Sequence, residues 1–185
     1  MTRIAAPFFI LIALASASAH AIDSPQTREE GFAPIAFMAG SCWEGPIPTF
    51  VADSLGSGPV NVVHCVEWRI KGTVLTDTLT IPAVDPNAAG ETHYWWDPEA
   101  KTVRYIYWGS GGQVSTGTMK SDGPVMIFDD ERVTGGSRGP IQFVTTWTPD
   151  ETSPPQSFTQ VRRRQNADGV WTDTATSVFK RQPLE

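Results

Sequence analysis

Gly90-Glu91-Thr92-His93-Tyr94-Trp95-Trp96-Asp97-Pro98-Glu99-Ala100-Lys101-Thr102-Val103-Arg104-Tyr105-Ile106-Tyr107-Trp108-Gly109 holds the fold in miniature. Asp97-Pro98-Glu99-Ala100 has the residues of a tight turn, so the segments 91–97 and 102–109 read as antiparallel strands. By alternation Tyr105 and Tyr107 face one way, while Ile106 and Trp108 face the other. A sheet with one face in water does not need two apolar faces. Further strands read near 42–47, 60–70, 73–82, 112–119, 124–129, 141–149, 157–165 and 169–181. Turns fall at Gly109-Ser110-Gly111-Gly112, Ser121-Asp122-Gly123 and Asn166-Ala167-Asp168-Gly169. Ten strands joined by short links leave two exposed edges in an open sheet, and closure removes them. The expected fold is all-β: a single antiparallel up-and-down barrel of about ten strands, with a two-sheet sandwich as the competing solution. Phe32 to Met38 reads as a short helical turn before the barrel, and 22–31 as a flexible polar lead.

Composition supports one domain. The chain has 185 residues, 40% of them hydrophobic and 18% charged, which excludes a disordered chain. A net charge of −6 and a pI near 5.0 exclude a broad electrostatic grip on nucleic acid. The 16 Gly and 15 Pro punctuate the chain too often for long helices.

The first 21 residues read as a signal peptide. Arg3 precedes an apolar run from Ile4 to Ala15, and Ala19-His20-Ala21 places small residues where a signal peptidase cuts. Cleavage is expected after Ala21, with Ala17-Ser18-Ala19 as the alternative. The run falls short of the roughly 20 residues that span a bilayer, so no membrane span is expected. The destination is periplasmic or secreted, an oxidising place for Cys42 and Cys65, the only two cysteines. A disulfide between them is expected, with two buried free thiols as the alternative.

Phe37-Met38-Ala39-Gly40-Ser41-Cys42-Trp43-Glu44-Gly45 resembles the start of lipocalin-like (calycin-type) bacterial barrels of unassigned function. Gly90 to Pro98 with Thr102-Val103-Arg104-Tyr105 resembles, distantly, a hairpin of the nitrobindin-like haem-binding barrels. The resemblance spans about 32–181. It implies a lipocalin-like barrel over 32–185, with Trp43 plugging the closed end and stacking on a basic residue of the last strand, Lys180 or Arg181. Two departures stand out. Gly40 and Trp43 are separated by two residues where the lipocalin pattern has one, which predicts a bulge. Nitrobindin-like barrels hold haem through a His near the C-terminus, and this chain has none after His93. Iron needs an axial His, Cys, Met or Tyr, and 170–185 offers none, so no haem is expected.

Candidate site residues come from aromatic and charged side chains on apolar-looking faces. Trp68, Trp95, Trp108 and Trp147 offer flat surfaces to a ligand, though packing is the competing role for each. Trp95 and Trp96 are adjacent, so one points inward and one outward. Asp77, Arg104, Arg162 and Asp173 lie among apolar residues, and each either meets solvent or lines a cavity with paired charges. Arg104 or Arg162 could hold a ligand carboxylate. His93 beside Glu91 could make an acid–base pair. His64 neighbours Cys65, so on a strand the two point to opposite faces and no metal site is expected. Asp129-Asp130-Glu131 reads as an exposed turn, since it lacks the spacing of a calcium loop. Arg162-Arg163-Arg164 is split between two faces.

The leading expectation is an exported, non-catalytic barrel binding a small, partly apolar ligand through Trp68, His93, Trp95, Arg104, Trp108, Trp147 and Arg162. One alternative is an enzyme with His93 and Glu91 in the barrel mouth. The other is a structural or oligomer-forming module.

Overall fold

Short turns and alternating side chains produce ten strands that close on themselves. The computed structural model describes residues 25, 27–47, 58–135, 142–165 and 168–183, with backbone alone for 85–89 and 130–132. The leader expected at 1–21 lies outside the described residues. The strands are β1 (Ser41–Pro46), β2 (Asn61–Ile70), β3 (Val74–Ile81), β4 (Asp85–Asp97), β5 (Thr102–Gly109), β6 (Val114–Asp122), β7 (Val125–Thr134), β8 (Phe143–Pro149), β9 (Ser157–Gln165) and β10 (Trp171–Arg181). Each pairs antiparallel with its sequence neighbours, and β1 pairs with β10 to close the barrel. The expected up-and-down barrel is the observed fold; the sandwich is not.

Three local expectations are corrected. Asp129-Asp130-Glu131 is part of β7, not a turn: Asp129 pairs with Thr118 and Asp130 with Gly117, beside a bulge at Thr116/Gly117. That bulge lets the strand continue through the acidic run. No bulge follows Gly40, because β1 pairs with β2 without interruption from Ser41↔Val66 to Pro46↔Asn61. Gly40 instead takes a left-handed φ of 77° before the strand, absorbing the extra residue there. The helical start also lies earlier than Phe32. Helix α1 (Arg28–Phe32) begins inside the segment read as a lead, held by a capping box between Thr27 and Glu30.

The two ends of the barrel differ. At the lower end, α1 and the 3₁₀ turn Ala36–Met38 pack against the barrel: Phe32 meets Trp68 edge-on at 5.1 Å, and Gly31 lies against Trp96 and Val103. The strand connections there are 71–73, 98–101, 123–124 and 150–156. The opposite strand ends, with the connections 82–84 and 110–113, form the upper end.

Cys42 and Cys65 form a disulfide from directly opposed positions on β1 and β2, with Cα atoms 4.1 Å apart. Tying residues 23 apart contributes roughly 3 kcal/mol in the chain-entropy model.

Candidate functional site

Closure of the barrel fixes which face of each strand looks inward. On β4 and β5 the inward residues are Thr92, Tyr94 and Trp96, then Val103, Tyr105 and Tyr107; Tyr94 pairs with Tyr105 and Thr92 with Tyr107. His93, Trp95, Arg104 and Trp108 therefore face outward, which corrects their expected place in the cavity. Both faces of this hairpin are aromatic, so alternation alone does not choose between them. The close approach of rings to glycines does. A Cβ on Gly90 would stand 2.5 Å from the Tyr107 ring, and one on Gly117 2.5 Å from the Tyr105 hydroxyl. The barrel makes room for tyrosines inside by placing glycines beside them.

Trp68, Trp147 and Arg162 do face inward. The seven expected binding residues are thus divided, three inside and four outside. On the outer face His93 bonds Glu91 and meets Trp108 edge-on at 5.2 Å, with its side chain 35% exposed. It is not in the barrel mouth, where the acid–base alternative placed it. Arg104 bonds Asp97 at 2.7 Å. Backbone N–H donors of the 98–101 turn, Ala100 first, and then Arg104 hold the Asp97 carboxyl below its usual range. Asp173 also lies outside, 2.8 Å from Arg163.

The interior is graded from bottom to top. Trp43 is fully buried at the lower end, with the Arg181 guanidinium 5.9 Å from its ring centre and bonded to Ser41 at 2.6 Å. Above it runs an aromatic stack: Phe179 lies parallel to Phe158 at 4.8 Å, Phe158 meets Trp147 at 5.0 Å, and Trp147 meets Phe128 at 4.5 Å. Such pairs contribute about 0.5–1.5 kcal/mol each beyond their burial.

Set into this stack is a pair that sequence reasoning did not join. His64 Nδ1 lies 2.9 Å from Asp77 Oδ2, with both side chains almost wholly buried. His64 also meets Phe179 at 5.1 Å and Trp147 at 6.0 Å. The signal was present: Gly72 marks a hairpin turn, and pairing outward from it sets Val66 opposite Asp77 and His64 one inward position away. Read singly along the chain, neither residue points to the other.

Higher up, burial is mixed: Leu79, Thr92, Tyr107, Thr145, Gln160, Arg162 and Ala175 are half-buried, while Val62, Ile81, Ser115, Val133 and Phe143 are buried. Arg162 lies over the Phe143 ring at 4.2 Å. Burial raises the Tyr107 hydroxyl pKa; Arg162 opposes the rise and Asp77 adds to it. Tyr94, deeper, is pushed well above its ordinary value by burial, with the Asp77 charge adding. Asp77 and Arg162 thus act in opposite directions on the Tyr107 hydroxyl.

Among the described residues, no group of three or more His, Cys, Asp and Glu could hold a metal ion, and no helix is long and apolar enough to cross a membrane. No protein-family model matches the chain, and no curated protein matches it. The fold defines the class: a closed ten-stranded antiparallel barrel, compatible with a lipocalin-like fold.

Proposed function

We propose that this is an exported binding protein that takes a small, partly apolar ligand into the upper half of the barrel. One observation carries the reading: in the upper half a run of inward side chains, Leu79, Thr92, Tyr107, Gln160, Arg162 and Ala175, is only half-buried, while the aromatic stack from Trp43 to Phe128 below it is buried. Leu79 and Phe143 supply apolar surface there, and Tyr107, Gln160 and Arg162 supply polar handles. The leader read at 1–21 and the disulfide agree with an oxidising compartment.

Titration with 1-anilinonaphthalene-8-sulfonate tests this, since the probe joins an aromatic body to an anion. The folded protein should bind about one equivalent saturably, and Arg162→Met should weaken binding about tenfold, as for loss of a charge-assisted hydrogen bond. Absence of saturable binding, or an Arg162→Met variant that binds as well as wild type, contradicts the reading.

A further inference from the structure

Three residues packed about His64 each carry a buried polar atom with no hydrogen-bond partner among the described residues: Asp77 Oδ1, Trp43 Nε1 and Trp147 Nε1. Their grouping follows from the barrel. Trp43 pairs directly with His64 across β1 and β2, Asp77 holds His64 Nδ1 through its other oxygen, and the Trp147 ring centre lies 6.0 Å from the imidazole. Asp77 is 2% exposed, Trp43 0% and Trp147 5%, so bulk solvent does not serve them. Groups this buried ordinarily find a partner, because an unpaired one costs free energy.

The chemistry of the three atoms selects their partner. Asp77 Oδ1 of an ionised carboxylate only accepts, and an indole N–H only donates. An ammonium could serve the carboxylate and neither indole, while a ligand carboxylate could serve the indoles and would oppose Asp77. A hydroxyl does both: it donates to the carboxylate and accepts from an indole.

We infer that the His64–Asp77 pair with Trp43 and Trp147 is the floor of the ligand site, and that it receives a hydroxyl group carried on an aromatic or apolar body. This rests on the binding reading above and adds the ligand's chemical class. Phe128, Phe158 and Phe179 pack against the same histidine and indole and against one another, so the apolar body lies above them, toward Leu79 and Tyr107. Thr92 and Tyr107, half-buried in the next inward positions on β4 and β5, lie between Asp77 and the upper end. His64 is a positioning residue: it fixes one carboxylate oxygen so that the other points at the ligand.

The test compares p-cresol with 4-methylanisole, which keeps the ring and replaces the hydroxyl by a methoxy group. Calorimetric titration of wild type should show cresol bound about tenfold more tightly, and Asp77→Asn and Trp147→Phe should each shrink that ratio of affinities. In wild type, the indole N–H resonances of Trp43 or Trp147 should move with cresol and not with 4-methylanisole, a readout that needs no variant. Equal affinity for the two probes, or a preference that survives both substitutions, overturns the inference. So does a long-lived internal water on the indole N–H groups that neither probe displaces, since the hydroxyl partner is then solvent. Anilinonaphthalene sulfonate binding without a cresol preference overturns this inference alone; loss of both overturns the binding reading with it.

Discussion

Asp77 shows how much one buried carboxylate constrains its neighbours. Removing its imidazole partner leaves a charge in an aromatic box, and breaking a buried pair in this way costs about 3–5 kcal/mol. His64→Leu is therefore expected to lower unfolding free energy by that amount in urea titrations. The double variant His64→Leu/Asp77→Leu should recover most of the loss, because no uncompensated charge remains. Additive losses would show that the two side chains do not act as a pair. Gly117 is the second residue on which the interior depends. An added Cβ would meet the Asp129 carbonyl oxygen as well as the Tyr105 hydroxyl at 2.5 Å, and the former is backbone that cannot swing away. Gly117→Ala should cost roughly 1–3 kcal/mol, as overpacking does. Gly58→Ala, where nothing lies within 4 Å, serves as the control in the same denaturant series.

At the scale of elements, the strands were legible because turn residues mark most of their ends. Asp97-Pro98 and Gly109 to Gly112 fall where turns were expected, and the aromatic runs between them form β4 and β5. The face each strand shows to the core was legible only where the faces differ. Phe143 and Trp147 on β8 are inward as alternation within one strand indicates. On β5, where Tyr105 and Trp108 are equally bulky, the choice is made by glycines on β4 and β6, across the ladder rather than along the chain. The acidic run of β7 misled for a related reason: its polarity suggests a turn, and only its pairing with Gly117 shows that it continues the strand. One connection also predicts a pH response. Between β8 and β9 the Asp150 carboxylate accepts from the hydroxyl and N–H of Thr152, the hydroxyl and N–H of Ser157, and the N–H of Gln156. These bonds, the Thr152 side chain first, hold its pKa far below the usual carboxylate range. A depressed folded pKa means that its stabilising contribution is complete above the unfolded value of about 3.9 and is lost as pH falls toward the folded one. Asp150→Asn should lower the melting temperature at neutral pH and flatten the acid limb below about pH 4. An acid limb as steep as wild type would contradict that role.

For the whole molecule, the interior is packed below and less completely buried in its upper half. Its lower end is closed by α1, the 3₁₀ turn and Trp43; in its upper half Leu79, Tyr107, Gln160, Arg162 and Ala175 are only half-buried. The central claim is that a ligand occupies that upper interior. Filling it tests the claim most directly. Ala175 on β10 points inward beside Arg162 and is half-buried, while its neighbour Thr176 points outward and is exposed. Ala175→Trp and Thr176→Trp add the same side chain one residue apart, on opposite sides of the wall. Anilinonaphthalene sulfonate affinity should fall about tenfold or more in Ala175→Trp, through lost contact with the apolar lining and with Arg162, and should match wild type in Thr176→Trp. Equal affinity in the two folded variants would contradict a ligand site inside the barrel.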